Sequence, residues 1–245
     1  MNKENTLNQD SHHPQLLVVA IDGPVASGKT VVGRKLAERL NWQMLDTGIM
    51  YRALTWIALV TKTPITDPAA LTALAERANI CVGPPGIQSG ETASISVDEL
   101  DATPHLRERA VEANVSTVAA VPGVREQMVG QQRAIAKQGE LVMVGRDIGT
   151  VVVPDAAIKI YLDASPQVRA SRRAAEMRTT GNSVTDIEVL EDLRRRDALD
   201  AGRATSPLRA ADRAEWIDTS ELELVDVVEL VLRYVREKIE IRTSK

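Results

Sequence analysis

The stretch from Leu16 to Leu40, LLVVAIDGPVASGKTVVGRKLAERL, narrows the choice of fold more than any other. Six apolar residues, several of them β-branched, end at Asp22. Gly23-Pro24-Val25-Ala26-Ser27-Gly28-Lys29-Thr30 follows, and residues with helical spacing come next. A buried strand that passes through such a turn into a helix is the setting a P-loop requires. Glycines let backbone N–H groups turn inward onto phosphate oxygens, and a helix beginning near Gly28 aims its partial positive charge at the same anion. Gly23 through Thr30 are therefore the candidates for holding a nucleoside triphosphate. Lys29 is long enough to reach the β- and γ-phosphates, and the Thr30 hydroxyl is the candidate Mg2+ ligand.

Behind the first helix, Trp42 to Asp46 reads as a short strand ending at Thr47-Gly48, and Ile49 to Val60 as a helix. Two strand–helix steps with short connections predict a parallel sheet. Ala69 to Ala78 looks helical. From Asn79 to Asp101 the segments ICVG, PPG, QSGET and ISVDELD read as short strands and turns, a small β-rich insert. Helical periodicity returns from about Pro104 to Ala119 and, after a break at Pro122-Gly123, from Val124 to Lys137. Leu141 to Val144 and Ile158 to Asp163 read as buried strands. Ser165-Pro166 offers a cap and a first residue for a helix reaching about Arg178. Thr179 to Ser183 breaks it, and a second charged helix runs from Asp186 to about Asp200. A strand at Ala214 to Thr219 and an amphipathic helix at Leu222 to Ile239 complete an α/β pattern with five parallel strands and helices on both faces. Ligands of open α/β sheets collect at the carboxyl ends of the strands. Asp22-Gly23, Asp46-Thr47 and Gly145-Arg146-Asp147 stand at three such ends.

Composition limits the partners. The net charge of −4 argues against coating nucleic acid, which takes a surplus of basic residues. The basic residues are nonetheless unevenly chosen, with 22 Arg against 8 Lys, and ten of the Arg lie between Arg169 and Arg213. Arginine presents a planar fork to phosphate oxygens where lysine presents a point charge. Aromatic residues make up 2% of the chain and Phe is absent, so the core must be packed with Val, Leu, Ile and Ala. The one cysteine, Cys81, excludes an intramolecular disulfide and a cysteine-based metal site; between Ile80 and Val82 it reads as a small buried hydrophobe. Met1 to Gln15 is polar, reads as a disordered tail, and has none of the marks of a signal peptide. No run approaches the ~18 apolar residues of a membrane span. A soluble, cytoplasmic protein is the expectation.

A P-loop alone says only that a nucleoside triphosphate binds. The base-reading tetrad Asn-Lys-x-Asp of GTPases is absent apart from Asn2-Lys3 in the tail. A second phosphate clamp is written in Asp46-Thr47-Gly48-x-x-Tyr51-Arg52, where Arg52 lies one turn beyond Gly48 at a helix N-terminus. IDGPVASGKT, LDTGIMYRAL, VGRDIGTVVVPDA, LDASPQVRASRRA and RRRDALDAGRATSPL resemble, in order and spacing, the successive motifs of bacterial cytidylate kinases, from Leu17 to about Glu237. The β-rich insert is similar to the extra segment that separates these enzymes from shorter nucleoside monophosphate kinases.

The resemblance implies a P-loop NTPase fold and transfer of the ATP γ-phosphoryl group to CMP or dCMP, with Mg2+, in a protein expected to be a monomer. It divides the chain into a core (about 16–46, 138–165 and 205–245), an acceptor-binding region (about 47–137) and a helical lid (about 166–204). By motif position, Thr47, Tyr51 and Arg52 would line the acceptor site, with Arg52, Arg146 and Arg203 on its phosphate. Ser116, Arg125 and Asp147 would read the cytosine edge, and Arg196 and Asp200 the ribose. Asp147 also remains a candidate for helix capping or for a water on Mg2+. Arg172 and Arg173 would belong to the lid closing over ATP, and Lys29, Arg52, Arg146 and Arg203 would carry catalysis. Two departures stand out: Thr30 where the family often has Gly, and PHLRERAV at Pro104 to Val111 in place of the usual Ile-Arg-Thr string. Rival readings are a kinase for UMP, AMP or a hydroxylated metabolite, and a nucleotide-gated switch; a switch needs one phosphate site, and this sequence offers two.

Overall fold

A computed structural model describes residues 17–83, 93–179, 181–203 and 205–243. In chain order it contains β1 (Val18–Asp22), α1 (Lys29–Leu40), β2 (Gln43–Asp46), α2 (Thr47–Val60), α3 (Pro68–Arg77), β3 (Ile80–Gly83), β4 (Ser94–Val97), β5 (Leu100–Asp101), α4 (Arg109–Val118) and α5 (Pro122–Ala136). The second half adds β6 (Leu141–Val144), β7 (Ile158–Asp163), α6 (Pro166–Thr179), α7 (Asp186–Ala201), β8 (Glu215–Asp218) and α8 (Leu224–Thr243). The expected parallel sheet is present, in the order β2-β6-β1-β7-β8, with every pairing parallel.

Successive strand residues point to opposite faces, and each face has its own core. Val18, Ala20, Leu45, Leu141 and Met143 face a layer built on α2, α4 and α5. Val19, Ile21, Val142, Val144, Ile158 and Ile160 face α1 and α8 through Val32, Leu36, Val227, Val231 and Val235. With no Phe in the chain, these aliphatic side chains fill both layers. Burying a Val, Leu or Ile side chain contributes roughly 1.5–3 kcal/mol, and the central strands β1 and β6 are buried along their whole length. The α6–α7 pair has a smaller cluster of its own: Ala170, Ala174, Val189 and Leu193 close around Val25 of the P-loop.

The insert is a three-stranded sheet, β3-β4-β5, with antiparallel pairings. Its PPG and QSGET segments fall within residues 84–92, and the N-terminal tail within residues 1–16; both lie outside the described residues. Cys81 is exposed, contrary to expectation. Ile80 and Val82 turn toward the core, so strand alternation sends the residue between them outward. Several helix boundaries also differ: α2 starts at Thr47 rather than Ile49, and α8 runs from Leu224 to Thr243 rather than from Leu222 to Ile239. Pro122 starts α5 rather than breaking the chain, since proline at the first position gives up an N–H that would have no partner there. Helix α4 starts at Arg109, not near Pro104. Thr103–His105 forms a 3-10 turn instead, anchored where Ile95 N–H donates to the Thr103 hydroxyl at 2.9 Å and where Leu106 is fully buried. After Asp147 the chain makes a π-helical turn, Ile148–Val152, that periodicity did not mark.

Candidate active site

The P-loop is shaped by close contacts. Gly23 has φ 149°, and a Cβ placed there would lie 2.0 Å from the Leu162 carbonyl oxygen of β7. Gly28 caps α1 in the left-handed region, φ 90°, so both glycines of the motif meet a backbone demand. Lys29 is buried; its ammonium donates to Pro24 O at 2.5 Å and Ser27 Oγ at 3.2 Å. Burial, with the charge of Arg146 adding to it, pushes its pKa well below the ordinary lysine value. Thr30 Oγ1 donates to Asp46 Oδ2 at 2.7 Å, while Asp46 Oδ1 accepts the Gly48 N–H at 2.9 Å and caps α2. A hydroxyl and a carboxylate side by side at two strand ends are hard oxygen donors. They suit Mg2+, which takes few protein ligands and fills its octahedron with water and phosphate.

At the end of β6 the structure gathers the predicted acceptor residues. Thr47 Oγ1 donates to Val144 O at 3.0 Å, fixing the start of α2 against β6. Arg125, buried on α5, donates to Asp147 Oδ2 at 2.5 Å and to Ala119 O at 3.1 Å, and lies 5.3 Å over the Tyr51 ring. Asp147 Oδ1 makes no hydrogen bond among the described residues. Burial pushes the Tyr51 phenol up to about 12, so it is a neutral hydroxyl. Ser116 is buried on α4, one turn before the Ala119 carbonyl that Arg125 grips. Gln132, buried on α5, lies next to Tyr51.

The remaining arginines divide into separate sets. Asp200 takes Arg146 Nε at 3.0 Å on one carboxylate oxygen and Arg203 on the other, joining a strand end of the core to the end of α7. Arg52 and Arg196 both meet Glu112 of α4. Arg172 turns to the loop after β8, donating to Thr219 Oγ1 at 2.9 Å and Thr219 O at 2.6 Å. Its neighbour Arg173 faces Glu176 at 2.8 Å and Glu112 at 3.5 Å. The two adjacent arginines thus point to different sides of α6.

Four further residues belong to this site. Asp22, at the end of β1, accepts the N–H groups of Ile148 and Gly149 at 2.7 and 2.8 Å, so the P-loop strand holds the turn that follows Arg146-Asp147. Burial pushes its carboxyl up to about 6. Arg169 ties Val25 O of the P-loop, Ala164 O and Asp197 of α7 at 3.0, 3.0 and 2.7 Å. Asp46 and Glu112 are the others. For Asp22 and Asp46 the signal was their place at strand ends. Arg169 lay within the counted arginine cluster, and Glu112 carried no signal beyond the unusual string before it.

A phosphate-binding loop at the carboxyl end of the central strand of a parallel sheet, opposed by arginines from a neighbouring strand end and from a helical pair, defines a P-loop phosphotransferase. The comparisons place it more narrowly. The chain belongs to the cytidylate kinase family, whose model matches residues 19–237. A cytidylate kinase from Herpetosiphon aurantiacus is 50% identical, over 75% of this chain and 80% of its own. One from Rhodococcus jostii is 46% identical, over 91% of this chain and 96% of its own. A bifunctional pantoate ligase/cytidylate kinase from Gloeobacter violaceus is 42% identical over 93% of this chain, which spans 44% of that longer relative.

Proposed function

We propose that the protein transfers the γ-phosphoryl group of ATP to CMP and dCMP, giving ADP and CDP or dCDP. The observation that carries this reading is the buried Arg125–Asp147 pair, lying on Tyr51 and directly beside Arg146 in the chain. A base-reading pair and a phosphate-binding arginine are thereby set side by side. Cytosine offers an N4 donor with N3 and O2 acceptors. Asp147 Oδ1 answers the donor, while Arg125 and Ser116 answer the acceptors. A buried polar set rejects a base that leaves its members unpaired.

In the reaction an oxygen of the acceptor phosphate forms a bond to the γ-phosphorus as the bond from that phosphorus to the β–γ bridging oxygen breaks. The acceptor phosphate is already largely ionised near neutral pH, so no strong general base is required. The demand is to bring two anions together, and it is met by positioning and electrostatics. Gly23 to Thr30 hold the donor phosphates, with Lys29 leaving its Pro24 carbonyl for them. Arg52, Arg146 and Arg203 approach from the acceptor side, Arg196 and Asp200 border the ribose, and Thr47 and Tyr51 close the floor. When bound at Thr30 and Asp46, Mg2+ supplies neutralisation of the phosphate charge. The α6–α7 lid, with Arg172 and Arg173, closes over ATP and keeps water from competing as nucleophile. The core, acceptor region and lid keep the boundaries given above.

A cytoplasmic monomer acting on small nucleotides, without nucleic-acid or membrane partners, completes the reading. The net charge of −4 supports it, and among the described residues no helix is long and apolar enough to cross a membrane. The test is product identity: protein incubated with Mg-ATP and CMP yields CDP and ADP in equal amounts by ion-exchange chromatography. ADP formed without CDP overturns the proposal. Arg52→Ala is expected to raise the CMP KM on the order of tenfold or more with ATP affinity nearly unchanged; loss of ATP binding would place Arg52 on the donor side.

A further inference from the structure

Glu112 lies at a point where four elements meet. Its Oε1 accepts Arg52 Nε of α2 at 3.1 Å, and its Oε2 accepts an Arg196 terminal nitrogen of α7 at 3.0 Å. Arg173 of α6 stands 3.5 Å away, and Arg107, from the loop before α4, 3.7 Å away. Glu176 also stands 2.8 Å from Arg173 and 3.9 Å from Arg107, and Asp192 4.0 Å from Arg196, so the guanidiniums outnumber the carboxylates around them only narrowly. Burial alone would raise the Glu112 carboxyl, but Arg52, Arg196, Arg173 and Arg107 outweigh it and hold it down to about 2, so it is ionised at any pH of interest.

The bonding pattern matters more than the charge count. Glu112 grips Arg52 only by Nε, and the two terminal nitrogens of Arg52 make no hydrogen bond among the described residues. One of them, Nη1, lies 3.0 Å from where a Cβ on Gly48 would stand, in the first turn of α2. The guanidinium fork is therefore held from behind, its open side at a helix N-terminus that favours anions. Arg196 is gripped by one terminal nitrogen, and its buried Nε has no hydrogen-bond partner among the described residues.

We propose that Glu112 is a positioning residue for the acceptor phosphate: it orients Arg52 and Arg196 from behind and links the acceptor-binding helices α2 and α4 to the lid helices α6 and α7. The inference rests on the proposed reaction and adds to it a residue that never touches substrate. Glu112 lies just beyond the divergent Pro104 to Val111 string, and Arg107 within that string is one of its four partners.

The test compares wild type, Glu112→Gln, Glu112→Asp, Arg52→Ala and Arg52→Ala/Glu112→Gln in steady-state kinetics with CMP and ATP varied separately. Glu112→Gln keeps the volume and removes the charge. It is expected to raise the CMP KM about tenfold while the ATP KM stays within about twofold. Glu112→Asp, which keeps the charge, recovers part of the loss. In the double variant the rise in the CMP KM is smaller than the product of the two single rises, because Glu112 acts in part through Arg52. A CMP KM that is unchanged or falls in Glu112→Gln overturns the proposal, the fall meaning that the carboxylate merely occupies the place of the phosphate. Equal rises in both KM values, or additive effects in the double variant, overturn it too. Wild type that ignores CMP overturns the proposed reaction and this inference with it; active wild type with a normal Glu112→Gln overturns this inference alone.

Discussion

Asp22 joins the two halves of the site through two backbone hydrogen bonds, and its carboxyl is raised from 3.8 to about 6 by burial. Between those values the folded protein retains a proton that the unfolded chain has released. Its contribution to stability is therefore highest below about pH 4 and declines as pH rises to about 6. Urea unfolding from about pH 4 to 7 should show wild-type stability falling relative to Asp22→Asn across that window and running parallel to it above. At Gly23 the constraint is steric. Gly23→Ala sets a methyl 2.0 Å from the Leu162 carbonyl, and is expected to cost at least about 3 kcal/mol and to abolish ATP binding in a fluorescence titration. Residues whose role is local were legible in the sequence: the P-loop letters, Thr47 to Arg52 and Arg146-Asp147 each sit inside one short motif. Glu112 was not, because its partners Arg52 and Arg196 are 60 and 84 positions away and meet it only once the helices pack. Arg169 is the same case at greater range, reaching Val25 across 144 positions.

Among the elements, the α6–α7 pair, proposed as the lid, stands apart in how it is held. Its buried cluster is made largely of alanines and valines, small side chains that bury little area, around Val25 of the P-loop. Arg169 and Arg172 supply polar ties from α6 to the P-loop and to Thr219. Elements with few buried apolar contacts open at low free energy. Hydrogen exchange should accordingly be faster in α6 and α7 than in β1 or β6, and it should slow in the lid when ATP and CMP are both added. Exchange in α6–α7 as slow as in β1 would rule out the lid role. Sequence patterns gave the five parallel strands and most helices because a strand between two helical layers must be apolar and each helix needs one apolar face. They failed where tertiary contacts overrode the pattern. The Thr103–Ile95 tie turned an expected helix start into a 3-10 turn, and the Asp22 carboxylate holds a π-turn at Ile148–Val152 that no periodicity announces. Cys81 was assigned by its apolar neighbours when the alternation of β3 decided its side.

For the molecule as a whole, the sheet sets β1 between β6 and β7, so that the P-loop and the Arg146-Asp147 turn leave adjacent strands. A P-loop serves many activities, and what distinguishes the proposed reading is the second half of the site, in which the Arg125–Asp147 pair is assigned to the base and Arg52, Arg146 and Arg203 to a second phosphate. The surplus of arginine over lysine suits the proposed task, which needs planar forks on phosphate oxygens from several sides. The measurement that tests the account most directly is a coupled ADP-release assay with Mg-ATP and, in turn, CMP, dCMP, UMP and AMP as acceptors. The account predicts turnover of CMP and dCMP at least about a hundredfold above UMP or AMP in kcat/KM. Equal rates with all four, or ADP release independent of any acceptor, would contradict it.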